Sequence, residues 1–208
     1  MQGYPWALVV ALGVLSGPVQ AEFASSAEAA KPLQVGDRAP DFTARRADGR
    51  PYEFRAARLK EPYVLIFYRG GWCPYCNGQL ADLRKVEPQL RGRGFEVLFI
   101  STDRPQLLYS SLKEKDIDYT LLSDGSLQAA QAFHIAYHLN DTEYANQLKW
   151  GVDLEKTTGT KDHALPVPSV FIVDTTGVIR FVYSNPDFRV RLGADALWRA
   201  AQPFAPTH

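Results

Sequence analysis

The chain has 208 residues, 46% hydrophobic and 22% charged, the proportions of a globular protein and not of a disordered one. Lysine plus arginine (23) balance aspartate plus glutamate (23), so the basic excess of a protein that lives on nucleic acid or an anionic membrane is missing. At roughly 150 residues per domain, the length fits one domain with extensions.

From the start of the chain, Ala7–Leu15 (ALVVALGVL) is an apolar run too short to span a bilayer. Ser16-Gly17-Pro18 and then Val19-Gln20-Ala21 follow it, ending in a small-x-small cleavage pattern. Residues 1–21 therefore read as a secretory signal peptide, which makes the protein exported, periplasmic or secreted, with no stable membrane insertion after cleavage. No Lys or Arg precedes the run, and the competing reading is a retained N-terminal anchor. With no Cys near the cleavage point, a lipid-modified cysteine is excluded. Residues 22–34, Ala/Ser-rich with Lys31-Pro32, read as a linker. The folded domain is expected over residues 35–205, enough to bury about 70% of its unfolded surface.

Tyr63–Tyr68 (YVLIFY) is a buried-strand run and Arg69-Gly70-Gly71-Trp72 a turn. Leu80, Leu83, Val86 and Leu90 then recur at helical spacing, with Pro88 expected to end or kink that helix. Phe95–Ile100 is a second buried strand, Pro105–Asp116 a helix, Tyr119–Leu122 a short strand and Ser126–Phe133 a helix. The stretch from Ile135 to Leu165 is polar, carries Tyr137, Tyr144 and Trp150, and has only a weak helical pattern. A connection of this length is functional or mobile, and this one is expected near the site. Ser169–Val173 and Val178–Tyr183 form a hairpin turned at Asp174–Gly177, and Ala194–Ala201 is a closing helix. The alternation predicts an α/β fold with a central sheet of mixed direction flanked by helices.

The chain's two cysteines both lie in Cys73-Pro74-Tyr75-Cys76. As a structural staple the pair is poorly placed: closing so short a loop contributes about 2 kcal/mol, against nearly 5 for a long one. Two thiols one helical turn apart instead form and break a disulfide with little chain movement, which points to redox chemistry. The pair sits where a turn enters a helix, and Pro74 suits the first helical position because its missing N–H costs nothing there. The free N–H groups and the positive end of the helix dipole stabilise a thiolate, and Arg69 adds positive charge nearby. Trp72 and Tyr75 are candidates for substrate contact, with plain packing as the alternative. A zinc site competes through the C-x2-C and H-x3-H spacings of Cys73, Cys76, His134 and His138, although the gap between the pairs far exceeds that of a zinc finger.

Trp72-Cys73-Pro74-Tyr75-Cys76 resembles the active site of thioredoxin-fold proteins, and Val167-Pro168-Ser169 resembles that fold's cis-proline loop, which lies beside the thiols. Val35–Phe42, Phe67-Tyr68 and Phe171–Asp174 with Gly177 and Arg180 resemble the alkyl hydroperoxide reductase/thiol-specific antioxidant branch, the peroxiredoxins, over about residues 35 to 202. Laid over that pattern, Cys76 falls on the peroxidatic cysteine, Cys73 on the threonine that orients peroxide, and Pro168 on the catalytic arginine. The resemblance implies a thioredoxin-like fold and a thiol-dependent antioxidant oxidoreductase with no cofactor, acting on a peroxide or disulfide substrate and recycled by an external thiol reductant. In a peroxidase, Cys76 attacks and Cys73 condenses with its sulfenic acid; in disulfide exchange, Cys73 attacks and Cys76 resolves. Copper held by both cysteines and His163 is a further alternative, as is a non-enzymatic binding domain.

Overall fold

The computed structural model describes residues 22–115 and 120–206. The expected signal peptide and Asp116 lie outside the described residues. A hairpin of β1 (Phe42–Arg46) and β2 (Pro51–Phe54) comes first, then β3 (Tyr63–Tyr68), α1 (Pro74–Leu83), α2 (Glu87–Gly92) and β4 (Glu96–Ser101). α3 (Pro105–Lys115), β5 (Thr120–Ser123) and α4 (Gln128–Ala132) follow. β6 (Ala136–His138), α5 (Asp141–Lys149), α6 (Leu154–Thr158) and β7 (Ala164–Pro166) form an insertion. The last elements are β8 (Ser169–Val173), β9 (Ile179–Ser184) and α7 (Ala194–Ala201).

Seven strands make one mixed sheet in the order β2-β1-β5-β4-β3-β8-β9, and β6 with β7 forms a separate ribbon. β3 pairs parallel with β4 and antiparallel with β8. This is the thioredoxin-like α/β architecture expected. Val64–Tyr68 are all buried because both faces of β3 are covered, and strand alternation decides which layer each side chain joins. Leu65 and Phe67 join Phe42, Phe54, Phe133 and Phe171 on one face. Val64, Ile66 and Tyr68 join Cys76, Leu80, Leu83, Leu90 and Leu197 on the other. Full burial of each such apolar side chain contributes about 1.5–3 kcal/mol. The helix after the cysteines breaks as anticipated: α1 stops at Leu83, Val86 caps α2, and Pro88 sits in the first turn of α2, where no N–H is required.

Two segments depart from the sequence expectation. Residues 22–34 were expected to be a linker, but Phe23, Ala24, Ala27, Ala30 and Leu33 pack against the core. The Ala24 N–H donates to the Ala136 carbonyl and the Ala24 carbonyl accepts from the His138 N–H, both at 2.9 Å, adding a bridge to the edge of β6. Small alanines suit a linker and equally suit close apposition to a strand edge. The Ile135–Leu165 connection is folded: its ends pair as β6 and β7, and Asn140 and Glu143 close a reciprocal capping box at the start of α5 at 2.9 and 3.0 Å.

Candidate active site

The C-terminal ends of β3 and β4 hold the turn that carries the cysteines. Thr102 Oγ1 donates to the Arg69 carbonyl at 2.8 Å, Asp103 Oδ2 accepts from the Gly71 N–H at 2.6 Å, and Asn77 Nδ2 donates to the Gly71 carbonyl at 2.8 Å. Gly70 is required by close approach, since a Cβ there would overlap Trp72 Nε1 and stand 2.8 Å from Asp103 Oδ1. The turn delivers Cys73 to the N-cap of α1 with extended backbone (φ −87°, ψ 117°), Pro74 to the first helical position, and Cys76 one turn further on.

Both thiols are free and buried. Arg191, on the segment leading into α7, reaches them from across the fold: Nη2 lies 3.3 Å from Cys76 Sγ and 3.9 Å from Cys73 Sγ. Its guanidinium is held by the Phe188 carbonyl at 2.7 Å and Gln79 Oε1 at 3.4 Å. Asp82 of α1 accepts from the Ala194 N–H at 2.8 Å and so fixes the start of α7. Arg69, fully inside, is stacked between the rings of Phe188 (4.2 Å) and Trp72 (5.0 Å). Hydrogen bonding from the Cys76 thiol pulls the Cys73 thiol down to about 6, against burial, and the charges of Arg69 and then Arg191 add to the effect. Burial pushes the Cys76 thiol well up, as does its bond to the Cys73 sulfur. The two thiols titrate as a coupled pair, with the negative charge favoured on Cys73.

Cys73 opens on a cleft of ≈ 430 Å³ whose walls include Trp72, Tyr75, Gln147, Trp150 and Phe188; Cys76 is not among its lining residues. One wall is the β3–α1 turn. The other comes from the insertion and from the segment before α7.

The AhpC/TSA family model matches residues 35–182. The chain belongs to the AhpC/TSA family. It is 29% identical over 157 residues to Peroxiredoxin Bcp of Escherichia coli K12, an overlap of 74% of this chain and 87% of that protein. It is 27% identical over 153 residues to the chloroplastic Peroxiredoxin Q of Populus jackii, covering 74% and 61% respectively. In fold it is similar to Peroxidoxin BcpB of Mycobacterium tuberculosis (TM-score 0.62, 21% identity, 82% of this chain and 97% of that one). Xanthomonas campestris Peroxiredoxin Q gives a TM-score of 0.61 at 19% identity, over 79% and 92%. The chain is a peroxiredoxin-type thiol oxidoreductase.

Within this AhpC/TSA chain the anticipated residues meet different fates. Arg69, Trp72, Cys73, Pro74 and Tyr75 all line the cleft. Pro168 stands at the correct end of β8, because Ser169 pairs with Phe67 at the end of β3. No peptide bond among the described residues is cis, however, so the expected cis Val167–Pro168 bond is trans. The Pro168 carbonyl accepts from the Asn185 N–H at 3.3 Å, satisfied by β9's continuation. The histidines offered as metal ligands lie elsewhere. His138 Nδ1 is 3.1 Å from the Asp162 carbonyl, and His163 stacks on Tyr144 at 3.7 Å with Nε2 2.9 Å from Glu155. Among the described residues no three His, Cys, Asp or Glu side chains group closely enough to hold an ion, which corrects the zinc and copper alternatives. Arg191 is the site residue that sequence reasoning missed. Its local context, Arg189-Val190-Arg191, reads as a solvated surface stretch, and the family match ends before it.

Proposed function

We propose that the protein is a peroxiredoxin-type thiol peroxidase in which Cys73 is the nucleophile and Cys76 the resolving thiol. One observation carries this assignment: Cys73 lines the cleft and Cys76 does not, and the downward shift of the Cys73 thiol to about 6 agrees with it. The Cys73 thiolate attacks a peroxide oxygen, the O–O bond breaks, and the leaving alkoxide or hydroxide takes a proton. Cys76 then attacks the sulfur of the Cys73 sulfenic acid, water leaves, and a disulfide forms. Two electrons pass from the thiol pair to the peroxide, and an external thiol reductant restores the pair. Arg191 bridges both sulfurs and favours negative charge on either as the proton moves between them.

The family pattern assigns the peroxidatic role to the position of Cys76, where burial disfavours the thiolate. Support for the activity comes from the relatives, which carry the names Peroxiredoxin Bcp and Peroxiredoxin Q. The apolar run with its Val19-Gln20-Ala21 site supports export, with residues 1–21 removed from a domain ending near residue 205. Sequencing the mature N-terminus should find Glu22 first; recovery of the intact chain from the cytosol would overturn export.

Stopped-flow oxidation of the reduced protein by hydrogen peroxide tests the peroxidase activity. A thioredoxin-type exchange activity is the second reading, favoured by the N-cap position of the Cys73 sulfur, which is suited to attack on a disulfide. Faster oxidation by a model disulfide than by peroxide would select it.

A further inference from the structure

A second cavity lies apart from the thiols. Its volume of ≈ 450 Å³ falls within the range of about 300–1,000 Å³ typical of small-molecule sites, and it shares no lining residue with the thiol cleft. Arg45 of β1, Arg104 at the start of α3, Ser123 at the end of β5, Asp124 and Ser126 beyond it, and Thr160 after α6 all line it. The walls are tied to their neighbours. The Arg104 N–H donates to the Thr157 carbonyl at 2.8 Å, joining the start of α3 to α6. The Asp124 N–H donates to the Ser101 carbonyl at 2.7 Å, joining the β5–α4 turn to β4. The cavity is therefore formed before any ligand arrives.

Its charge is uncompensated. Elsewhere Arg50, Arg55, Arg180 and Arg189 each hold a carboxylate. Among the described residues neither Arg45 nor Arg104 does: Arg45 Nη1 donates to the Gly49 carbonyl at 3.2 Å, and the Arg104 guanidinium has no hydrogen-bond partner. The Ser126 hydroxyl is likewise unengaged among the described residues. Arg104 and Pro105 also bring the start of α3 to the cavity, the positive end of a helix dipole. The one carboxyl in the lining, Asp124, is directed at α4: its two oxygens accept from the Ala129 and Ala130 N–H groups at 3.0 and 2.9 Å. Burial pushes that carboxyl up to about 7, which lessens its negative charge.

We propose that this cavity binds a small oxyanion, a phosphate or carboxylate group borne by a metabolite-sized molecule. Arg45 and Arg104 take the anionic oxygens, where guanidinium N–H groups make charge-assisted hydrogen bonds. The Ser126 hydroxyl donates to the same group, and the rest of the cavity takes the remainder of the molecule. The site stands whatever the thiols react with, because no residue of the thiol chemistry enters it.

Isothermal titration calorimetry of the full-length reduced protein, with inorganic phosphate and separately with citrate, tests the site. At low ionic strength at least one of the two should bind saturably, one ion per chain. Arg104→Gln and Arg45→Gln should each weaken that binding about tenfold, and Ser126→Ala by about threefold. Arg199→Gln removes an exposed charge of the same kind from α7, outside the cavity, and should leave it unchanged. Tighter binding of phosphate assigns a phosphorylated ligand and tighter binding of citrate a carboxylated one; either upholds the oxyanion site. No saturable binding of either ion up to about 10 mM overturns the proposal. So does an equal loss in Arg199→Gln, which would make the attraction one of overall charge, and so does full affinity in Arg104→Gln and Arg45→Gln.

Discussion

One wall of the cleft, Arg69 and Trp72 to Tyr75, belongs to a single passage from the end of β3 into α1 that also carries Cys76. Its geometry is set by near neighbours: Thr102 and Asp103 at the end of β4, and the N-terminus of α1. The facing wall is assembled from Gln147, Trp150 and Val152 of the insertion and from Phe188 and Arg189 ahead of α7, segments far apart in the chain, with Arg191 two residues further on. The first wall supplies the reacting sulfurs. The second supplies apolar surface beside Cys73, and its last segment runs on to a cation that touches both sulfurs. Such a division keeps the reacting sulfurs in one short passage while the cation that bears on both of them comes from more than a hundred residues away.

The largest test of this contrast lies on the first wall. Cys73→Ser should lower the peroxide rate by about a thousandfold or more. Cys76→Ser should react once and stall with one added oxygen on Cys73, seen by mass spectrometry after one equivalent of peroxide. Oxygen found on Cys76 in the Cys73→Ser protein would return the nucleophile to the family's position. Next, Gly70→Ala should displace the turn and cost about a hundredfold in rate while the circular dichroism spectrum is retained. An unaltered rate would mean that the turn does not control sulfur placement.

The two cations separate the walls more finely. Alkylation of reduced Cys73 should rise with pH through a midpoint at about 6 and level off above it, since only the thiolate reacts. Arg69→Met should move that midpoint upward by about one pH unit, because a neighbouring positive charge favours the ionised form. Arg191→Gln should raise it too and should also raise Cys76, on which Arg191 acts directly, so that the Cys76 thiol of a Cys73→Ser protein titrates higher still. Equal effects of both substitutions on Cys76 would erase the distinction between the walls. The smallest functional effect is expected far from both. Gly177, at φ +77° with a would-be Cβ 2.6 Å from the Ala56 carbonyl, should on change to Ala lower stability by about 1–3 kcal/mol in a denaturation experiment and leave the peroxide rate intact.

Much of the first wall was legible from sequence. The YVLIFY run, the glycine turn and the leucine spacing after Cys76 are local signals, and the Pro74 and Pro88 positions follow from the missing proline N–H. The insertion was half legible. Asn140 and Glu143 form a capping-box pattern that marks the start of α5, yet α5 and α6 are short and polar, so no strong apolar stripe announced them. The docking of residues 23–33 was hidden because alanine-rich composition fits a linker and a packed segment equally well.

By itself the sequence determined the α/β class, the order of the elements and the placement of two thiols at a helix N-terminus, because backbone periodicity and capping act over a few residues. Tertiary structure alone decided the rest. It chose which cysteine lines the cleft and placed Arg191 against both sulfurs. It also left the Val167–Pro168 bond trans and turned the insertion into a wall. These depend on long-range packing, in which the partner of a residue lies more than a hundred positions away, as Gln79 and Asp82 do from Arg191 and Ala194. No local pattern encodes such a meeting, because it is fixed only when the sheet and the helices on its faces have closed around one core.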